Sequence, residues 1–248
     1  MAHITAATVR FRSLVLCYHA VSSEWPDDLA VAAGTIERQL RLLQRAGYRP
    51  VSAPEALQGG PRTVHVTFDD AYRNVVSVLP ALERLGAFVT IFACTDYADD
   101  GRALDVPELR ERRCGHETEL ETMDWKLLRE LAGRGVEVGS HTASHPHLPQ
   151  LGDAELAREL RESKQRLEQE LRRPCRYLAY PYGEFDERVT AAAVAAGYEA
   201  AFALDSASGS RFAVPRVDLY RGDSLLRAAL KVSPLRRAVL TARRRRQD

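Results

Sequence analysis

Thr63-Val-His-Val-Thr-Phe-Asp-Asp70 is the stretch whose reading decides the fold. Its first six residues are rich in β-branched and aromatic side chains and read as a strand. Two carboxylates follow directly, at the carboxyl edge of that strand, which is where β/α folds assemble active sites. Asp-Asp pairs also occur at 27–28 and 99–100, but only the pair at 69–70 follows an apolar strand.

Outward from this stretch the same rhythm repeats. Short apolar runs at 13–18, 87–92, 135–139, 176–179, 198–204 and 212–217 read as strands. Between them lie helical patterns at 35–46, 71–85 (broken near Pro80), 124–132, 153–171 and 186–196. In the longest helix Leu156, Leu160, Leu167 and Leu171 form one stripe, so it should lie on the outside of a sheet. This many alternations in 248 residues favour an α/β fold of the closed or nearly closed β/α barrel type in a single domain. An open doubly wound sheet is the alternative, but no glycine-rich phosphate loop follows any strand. Residues 95–121 break the rhythm and read as a long insertion after a strand. A catalytic domain over 13–220 is expected, followed by a basic helical tail over 221–248.

Composition narrows the class. With 45% apolar and 28% charged residues, disorder, collagen and disulfide scaffolds are excluded. A net charge of +1 offers no electrostatic argument for nucleic acid. That balance is uneven: residues 233–248 hold six Arg and one Asp, a net of +5, which leaves −4 for the rest. Leu235, Val239 and Leu240 beside these arginines suit a short amphipathic helix on an anionic membrane surface; a plain solvated C-terminus is the simpler reading. Four scattered cysteines without a C-x-x-C pair suggest reduced thiols. Residues 1–12 never assemble an apolar signal core, and no apolar run reaches membrane-spanning length. The expectation is a cytoplasmic protein, with its tail able to hold it at the inner face of the membrane.

Two further segments follow predicted strands. In His141-Thr-Ala-Ser-His145 the histidines are four apart, so both rings can converge on one ion. Two histidines and one carboxylate, with positions left for water, make the ligand count of a catalytic metal site; a capping segment with surface histidines is the alternative. In Tyr180-Pro-Tyr-Gly183, Pro and Gly bracket an aromatic in a rigid loop that can aim a backbone N–H at a developing oxyanion, although an ordinary turn reads the same way.

Taken together and in this order, Thr67-Phe68-Asp69-Asp70, His141-Thr142-Ala143-Ser144-His145-Pro146 and Pro181-Tyr182-Gly183 resemble the polysaccharide deacetylase (NodB-homology) family, carbohydrate esterase family 4. The resemblance spans about residues 14–218. It implies a distorted (β/α) barrel, one divalent metal ion, and hydrolysis of an N-acetyl group from a sugar or glycan intermediate by a metal-activated water. Carried over by position, Asp69 is the general base, Asp70, His141 and His145 are the metal ligands, and the Tyr182 backbone N–H helps stabilise the oxyanion. Zinc is the expected ion, with cobalt, nickel, manganese and iron compatible with the same donors.

The chain departs from the family pattern twice. No histidine follows His147, so the late L-x-H motif that supplies the acid in many members is missing. Leu14-Val-Leu-Cys-Tyr-His19 ends an apolar strand in a histidine, similar to a permuted branch that includes biofilm exopolysaccharide N-deacetylases, and makes His19 the candidate acid; a structural histidine is the alternative. The arginine that usually precedes P-Y-G is also absent, and Arg216, with Asp218 as a partner, is the candidate substitute; the alternative is a surface ion pair.

The remaining candidates carry less. Cys114-Gly-His116 falls short of a second metal set, His65 reads as a packed residue, and His147 lies near the mouth without ligating. Trp25 and Trp125 suit packing better than a sugar floor. The leading expectation is a metal-dependent sugar N-deacetylase with an N-acetylated saccharide as its partner. The competitors are a related C–N hydrolase acting on a non-sugar amide or formamide, and a non-catalytic carbohydrate-binding relative.

Overall fold

The structure, a computed structural model, describes residues 13–112, 114–204 and 210–232. Its strands are β1 (Leu14–Tyr18), β2 (Arg49–Pro50), β3 (Thr63–Phe68), β4 (Val89–Ala93), β5 (Glu137–Ser140), β6 (Tyr177–Ala179), β7 (Ala200–Leu204) and β8 (Val214–Asp218). Its helices are α1 (Ala33–Arg45), α2 (Ala53–Leu57), α3 (Leu79–Arg84), α4 (Trp125–Gly133), α5 (Asp153–Leu171), α6 (Glu187–Ala195) and α7 (Leu225–Val232). All strand pairings are parallel, and β1 pairs both with β8 and with β3. That double pairing closes seven strands into a barrel. The two-residue β2 lies outside the closure, paired with Thr63 and Val64 before β4 joins β3 at Val66.

Strand alternation divides the apolar residues into two cores. Val15, Phe92, Tyr177, Phe202 and Val214 fill the barrel interior, where Ala53 and Leu57 of α2 join them. Because α2 leads into the start of β3, those two residues close the amino end. Leu14, Leu16, Val64, Val66 and Phe68 point the other way and pack against a helical shell that includes Ile36, Leu40, Leu128, Leu156 and Leu160. Each such side chain, fully buried, stabilises the fold by roughly 1.5–3 kcal/mol. Gly139 of β5 faces inward for a steric reason: a Cβ there would stand 2.6 Å from the Phe92 ring and 2.9 Å from the Tyr177 carbonyl.

Local chemistry explains where elements differ from the sequence expectation. The predicted helix at 71–85 is a 3-10 turn (Arg73–Ser77) followed by α3, with Pro80 in the first turn of α3, where its missing N–H costs nothing. β4 and β5 each begin two residues later than predicted, since Phe88 is half exposed and Gly135 is a turn residue at φ 94°. β2 and α2 are too short to show periodicity. The insertion at 95–121 is ordered by short 3-10 turns and bridges, Ala103 to Glu121 and Tyr72 to Thr122, over buried Leu104, Val106, Leu109 and Leu120.

β8 leads into α7, which packs on α1 through its buried Ala228 and Val232 and leaves Leu226 and Leu230 exposed. The arginines at 236, 237 and 243–246, and the predicted amphipathic segment among them, lie outside the described residues. No helix among the described residues is long and apolar enough to cross a membrane.

Candidate active site

Parallel closure brings the carboxyl ends of all seven barrel strands to one rim, and every site residue expected from sequence sits there. Tyr18 and Phe68 are register partners, so His19 and Asp69 emerge side by side, and the Asp69 N–H donates to the Tyr18 carbonyl at 2.9 Å. Ala93 pairs with Ser140, and the His141 N–H donates to the Ala93 carbonyl at 2.9 Å.

Asp70, His141 and His145 converge. His141 Nε2 is 3.5 Å and His145 Nε2 is 3.4 Å from Asp70 Oδ1. His141 Nδ1 lies 2.8 Å from the Ala179 carbonyl, which assigns the proton to Nδ1 and leaves the Nε2 lone pair free. Burial lowers the pKa of both histidines to about 4, so the rings are neutral, the form that ligates. Burial likewise pushes the Asp70 carboxyl up, against the pull of the nearby histidines. Asp70 Oδ1 is buried without a hydrogen-bond donor. Asp70 Oδ1 and the two Nε2 atoms therefore face one another with no hydrogen bond to Asp70 Oδ1, an arrangement that a divalent cation satisfies. The trio fits the expected metal.

Asp69 is built differently. Arg216 donates from one terminal nitrogen to Oδ1 at 2.6 Å and from the other to Oδ2 at 2.7 Å, with a weaker bond to the Thr67 hydroxyl at 3.3 Å. Both side chains are buried, so this is an internal clamp and not a surface ion pair. Burial alone would raise the Asp69 carboxyl; the Arg216 guanidinium and the neighbouring histidines reverse that and hold it well below the usual carboxylate range. Asp69 thus stays ionised while Asp70, one residue on, faces the histidines. His141 Nε2 lies 3.9 Å from Asp69 Oδ2, so Asp69 adjoins the trio. His19 stands half-buried on the same rim with Nδ1 lacking a hydrogen bond, and Asp218 faces the same space with Oδ1 also lacking one.

The loops at the rim are strained. Among the described residues seven non-glycine positions have positive φ, and five of them, Asp70, Ala71, Thr142, His145 and Tyr182, lie in or beside the three motifs. Each costs on the order of 1–3 kcal/mol unless its surroundings impose it, and such costs concentrate at functional sites. Helix α5 supplies part of that imposition. Glu159, buried, accepts from the Ala143 and Ser144 N–H groups at 2.9 and 3.0 Å and from the Ser144 hydroxyl at 2.8 Å, pinning the loop between the two histidines. Ser163, one turn on, is bonded to Ser140 at 2.9 Å.

Tyr182 takes φ 58°, and Gly183 after it has no room for a Cβ, which would meet Leu204 at 2.6 Å. The Tyr182 ring packs edge-on against His145 and stacks on His147 at 4.0 Å. Glu108, from the insertion, accepts from the Tyr182 hydroxyl at 2.9 Å and contacts His147 Nε2 at 3.1 Å, while Glu184 takes the other His147 nitrogen at 2.9 Å. His147 thus sits at the mouth among carboxylates. The insertion is anchored on the β1 side as well: Arg112 donates to Asp27 at 2.7 Å and accepts, through its carbonyl, from the Trp25 indole at 2.9 Å.

Sequence reading missed Glu159 and Glu108. Glu159 had a signal, because a carboxylate between Leu156 and Leu160 stands inside the apolar stripe of α5. Glu108 had none, since only the folded insertion brings it to Tyr182. Trp25 and Trp125 are buried packing residues with their indole N–H groups bonded to Arg112 and Asp99, and Cys114 is exposed. His65 is packed, with Nδ1 on the Val51 carbonyl and Nε2 on the Thr90 hydroxyl, both at 2.8 Å.

Comparison with known proteins agrees with this construction. Residues 56–201 match the model of the polysaccharide deacetylase family. Over 222 residues the chain is 26% identical to YxkH of Bacillus subtilis (strain 168), whose name places it among polysaccharide deacetylases, covering 85% of this chain and 72% of that protein. Its fold is similar to that of the Streptococcus pyogenes deacetylase PplD, solved with acetate (TM-score 0.74, 21% identity, 89% of this chain and 98% of that one). It is also similar to IcaB from Ammonifex degensii (TM-score 0.72, 22% identity, 91% of this chain and 99% of that one). With the family model matched over more than half of the chain, across all three rim motifs, the protein belongs to the polysaccharide deacetylase family.

Proposed function

We propose that this protein is a metal-dependent hydrolase that removes the N-acetyl group from an N-acetylated sugar or glycan intermediate and releases acetate. One observation carries the reading: a converging trio of Asp70, His141 and His145, with Asp70 Oδ1 lacking a hydrogen bond, adjoins an ionised carboxylate, Asp69, that is clamped by Arg216. A divalent cation held by the trio, zinc by default, supplies Lewis acidity for the amide carbonyl and makes water more acidic. Asp69 takes a proton from the attacking water, and Arg216 fixes the direction of its lone pairs while keeping it charged. Water oxygen bonds to the carbonyl carbon, the C–N bond breaks, and the leaving nitrogen needs a proton. His19, at the end of β1, delivers it. The backbone N–H of Tyr182, a residue in the left-handed conformation whose hydroxyl is bonded to Glu108, stabilises negative charge on the carbonyl oxygen.

Acetate release from N-acetylated mono- and oligosaccharides, with and without a chelator, tests this reading. Chelator-sensitive release that is lost in Asp69→Asn supports it. Glycan binding without any metal-dependent release overturns it, as does release from a formamide or non-sugar amide alone.

A further inference from the structure

Asp69 has a second set of neighbours that the reaction above does not explain. Cys17, fully buried at the end of β1, points its thiol at Asp69 Oδ2 across 3.5 Å. A donor atom of Cys17, one of His19 and one of Asp69 all lie within 4.8 Å of one another. Cys17 is the register partner of Asp218 on β8, which sets a further carboxyl beside the thiol. Two buried atoms here have no hydrogen-bond partner, His19 Nδ1 and Asp218 Oδ1. A thiol, an imidazole and carboxylates with unmet bonding capacity form a donor set of mixed softness. The trio of Asp70, His141 and His145 contains no sulfur.

We propose that Cys17, His19 and Asp69 form a second cation site, distinct from that trio, which binds a thiophilic divalent ion such as zinc, cobalt or cadmium. Thiolate with imidazole selects these ions over magnesium or manganese. Asp69 can share itself, because a carboxylate offers about four lone-pair directions and Arg216 uses one on each oxygen. The incoming cation takes the place of the Cys17 thiol proton, which passes to solvent, so the Asp69–Arg216 clamp stays intact. Occupation is inhibitory: it claims the lone pair with which Asp69 would accept a proton and the ring with which His19 would donate one. This consequence rests on the function proposed above; the binding itself does not.

Cobalt titration of the full chain, freed of metal, separates the two sites spectroscopically. The first equivalent should bind without a sulfur-to-cobalt charge-transfer band, and the second should bring that near-ultraviolet band with it. Cys17→Ser should abolish the band and the second equivalent while keeping the first; Cys94→Ser and Cys114→Ser should keep all three. Should Cys17→Ser fail to fold, His19→Ala, at a half-exposed position, should weaken the second equivalent at least tenfold. Absence of the band at excess cobalt, its appearance with the first equivalent, or its persistence in Cys17→Ser overturns the site. With the band in place, acetate release that does not fall as the second equivalent binds overturns the inhibition. Absence of acetate release at every metal level, with the band present, would instead strike at the proposed function.

Discussion

Arg216 reaches from the last barrel strand to grip both oxygens of Asp69 beyond the third, at 2.6 and 2.7 Å, in a space closed to solvent. The two residues are 147 positions apart in the chain, yet β1 stands between their strands and pairs with both. A planar two-pronged donor fixes the carboxylate in orientation as well as charge.

Arg216→Lys keeps the charge and loses the fork. We expect kcat to fall about ten- to a hundredfold, the scale on which supporting partners of metal-site groups act, with the fold retained. Arg216→Met, which leaves Asp69 buried and unpaired, should also destabilise the protein by about 3–5 kcal/mol. Steady-state kinetics with urea unfolding distinguishes the two, and a fully active Arg216→Lys would show that orientation of Asp69 does not matter.

Glu159 touches neither Asp69 nor the trio directly, but three hydrogen bonds from the loop between His141 and His145 end on it. Glu159→Ala should weaken zinc binding about ten- to a hundredfold, measured by equilibrium dialysis against a competing chelator. Unchanged affinity would mean the loop holds its shape through its other bonds, from the Thr142 N–H to the Ser140 hydroxyl and from the His145 N–H to the Thr142 hydroxyl, both at 3.1 Å.

Glu108 and Tyr182 are joined by one hydrogen bond at 2.9 Å, although they come from the insertion and from the loop after β6. Glu108→Ala and Tyr182→Phe should each lower kcat/KM by roughly three- to tenfold, and the double variant should be no worse than Glu108→Ala alone, since the bond to Tyr182 is already lost there. Glu108→Gln, which keeps an acceptor oxygen, should recover most of the loss. Additive effects would assign the two residues independent roles.

His65 sets an acid limit on stability. Burial lowers its pKa to about 4, against a chain value near 6.5 when unfolded. Above pH 6.5 both states hold a neutral ring and the residue is silent. As pH falls from 6.5 towards 4 the unfolded chain accepts a proton that the fold refuses, so stability is lost over that window, up to about 3 kcal/mol. His65→Gln should make this part of the stability profile less steep in urea titrations between pH 7 and 4.5, with His141 and His145 supplying the remaining slope. An equal slope in both proteins would assign the acid sensitivity to other groups.

Strand ends were legible because their chemistry is abrupt: Thr63 to Phe68 is buried throughout and Asp69-Asp70 is not compatible with continuing it. The spans His141 to His145 and Tyr180 to Gly183 were legible for a related reason, since each follows a strand and the three strand-end segments occur together and in order. β2, α2 and the short turns of the insertion were not, as two to five residues cannot display a period. Glu108 and Cys17 were silent for a different reason. Neither stands in a motif, and each acquires meaning only through a partner more than fifty residues away.

Sequence by itself determined the alternation of buried strands and amphipathic helices, the parallel α/β class that it favours, and the residue types that end its strands. Those depend on local periodicity and on the burial cost of charge, which a chain carries position by position. Only tertiary structure decided which carboxylate does what. Closure of β8 onto β1 delivers Arg216 to Asp69 and leaves Asp70 facing two neutral imidazoles, so adjacent and chemically identical side chains are driven to opposite protonation tendencies. Register across closed strands, and not distance along the chain, separates the candidate base from the candidate ligand.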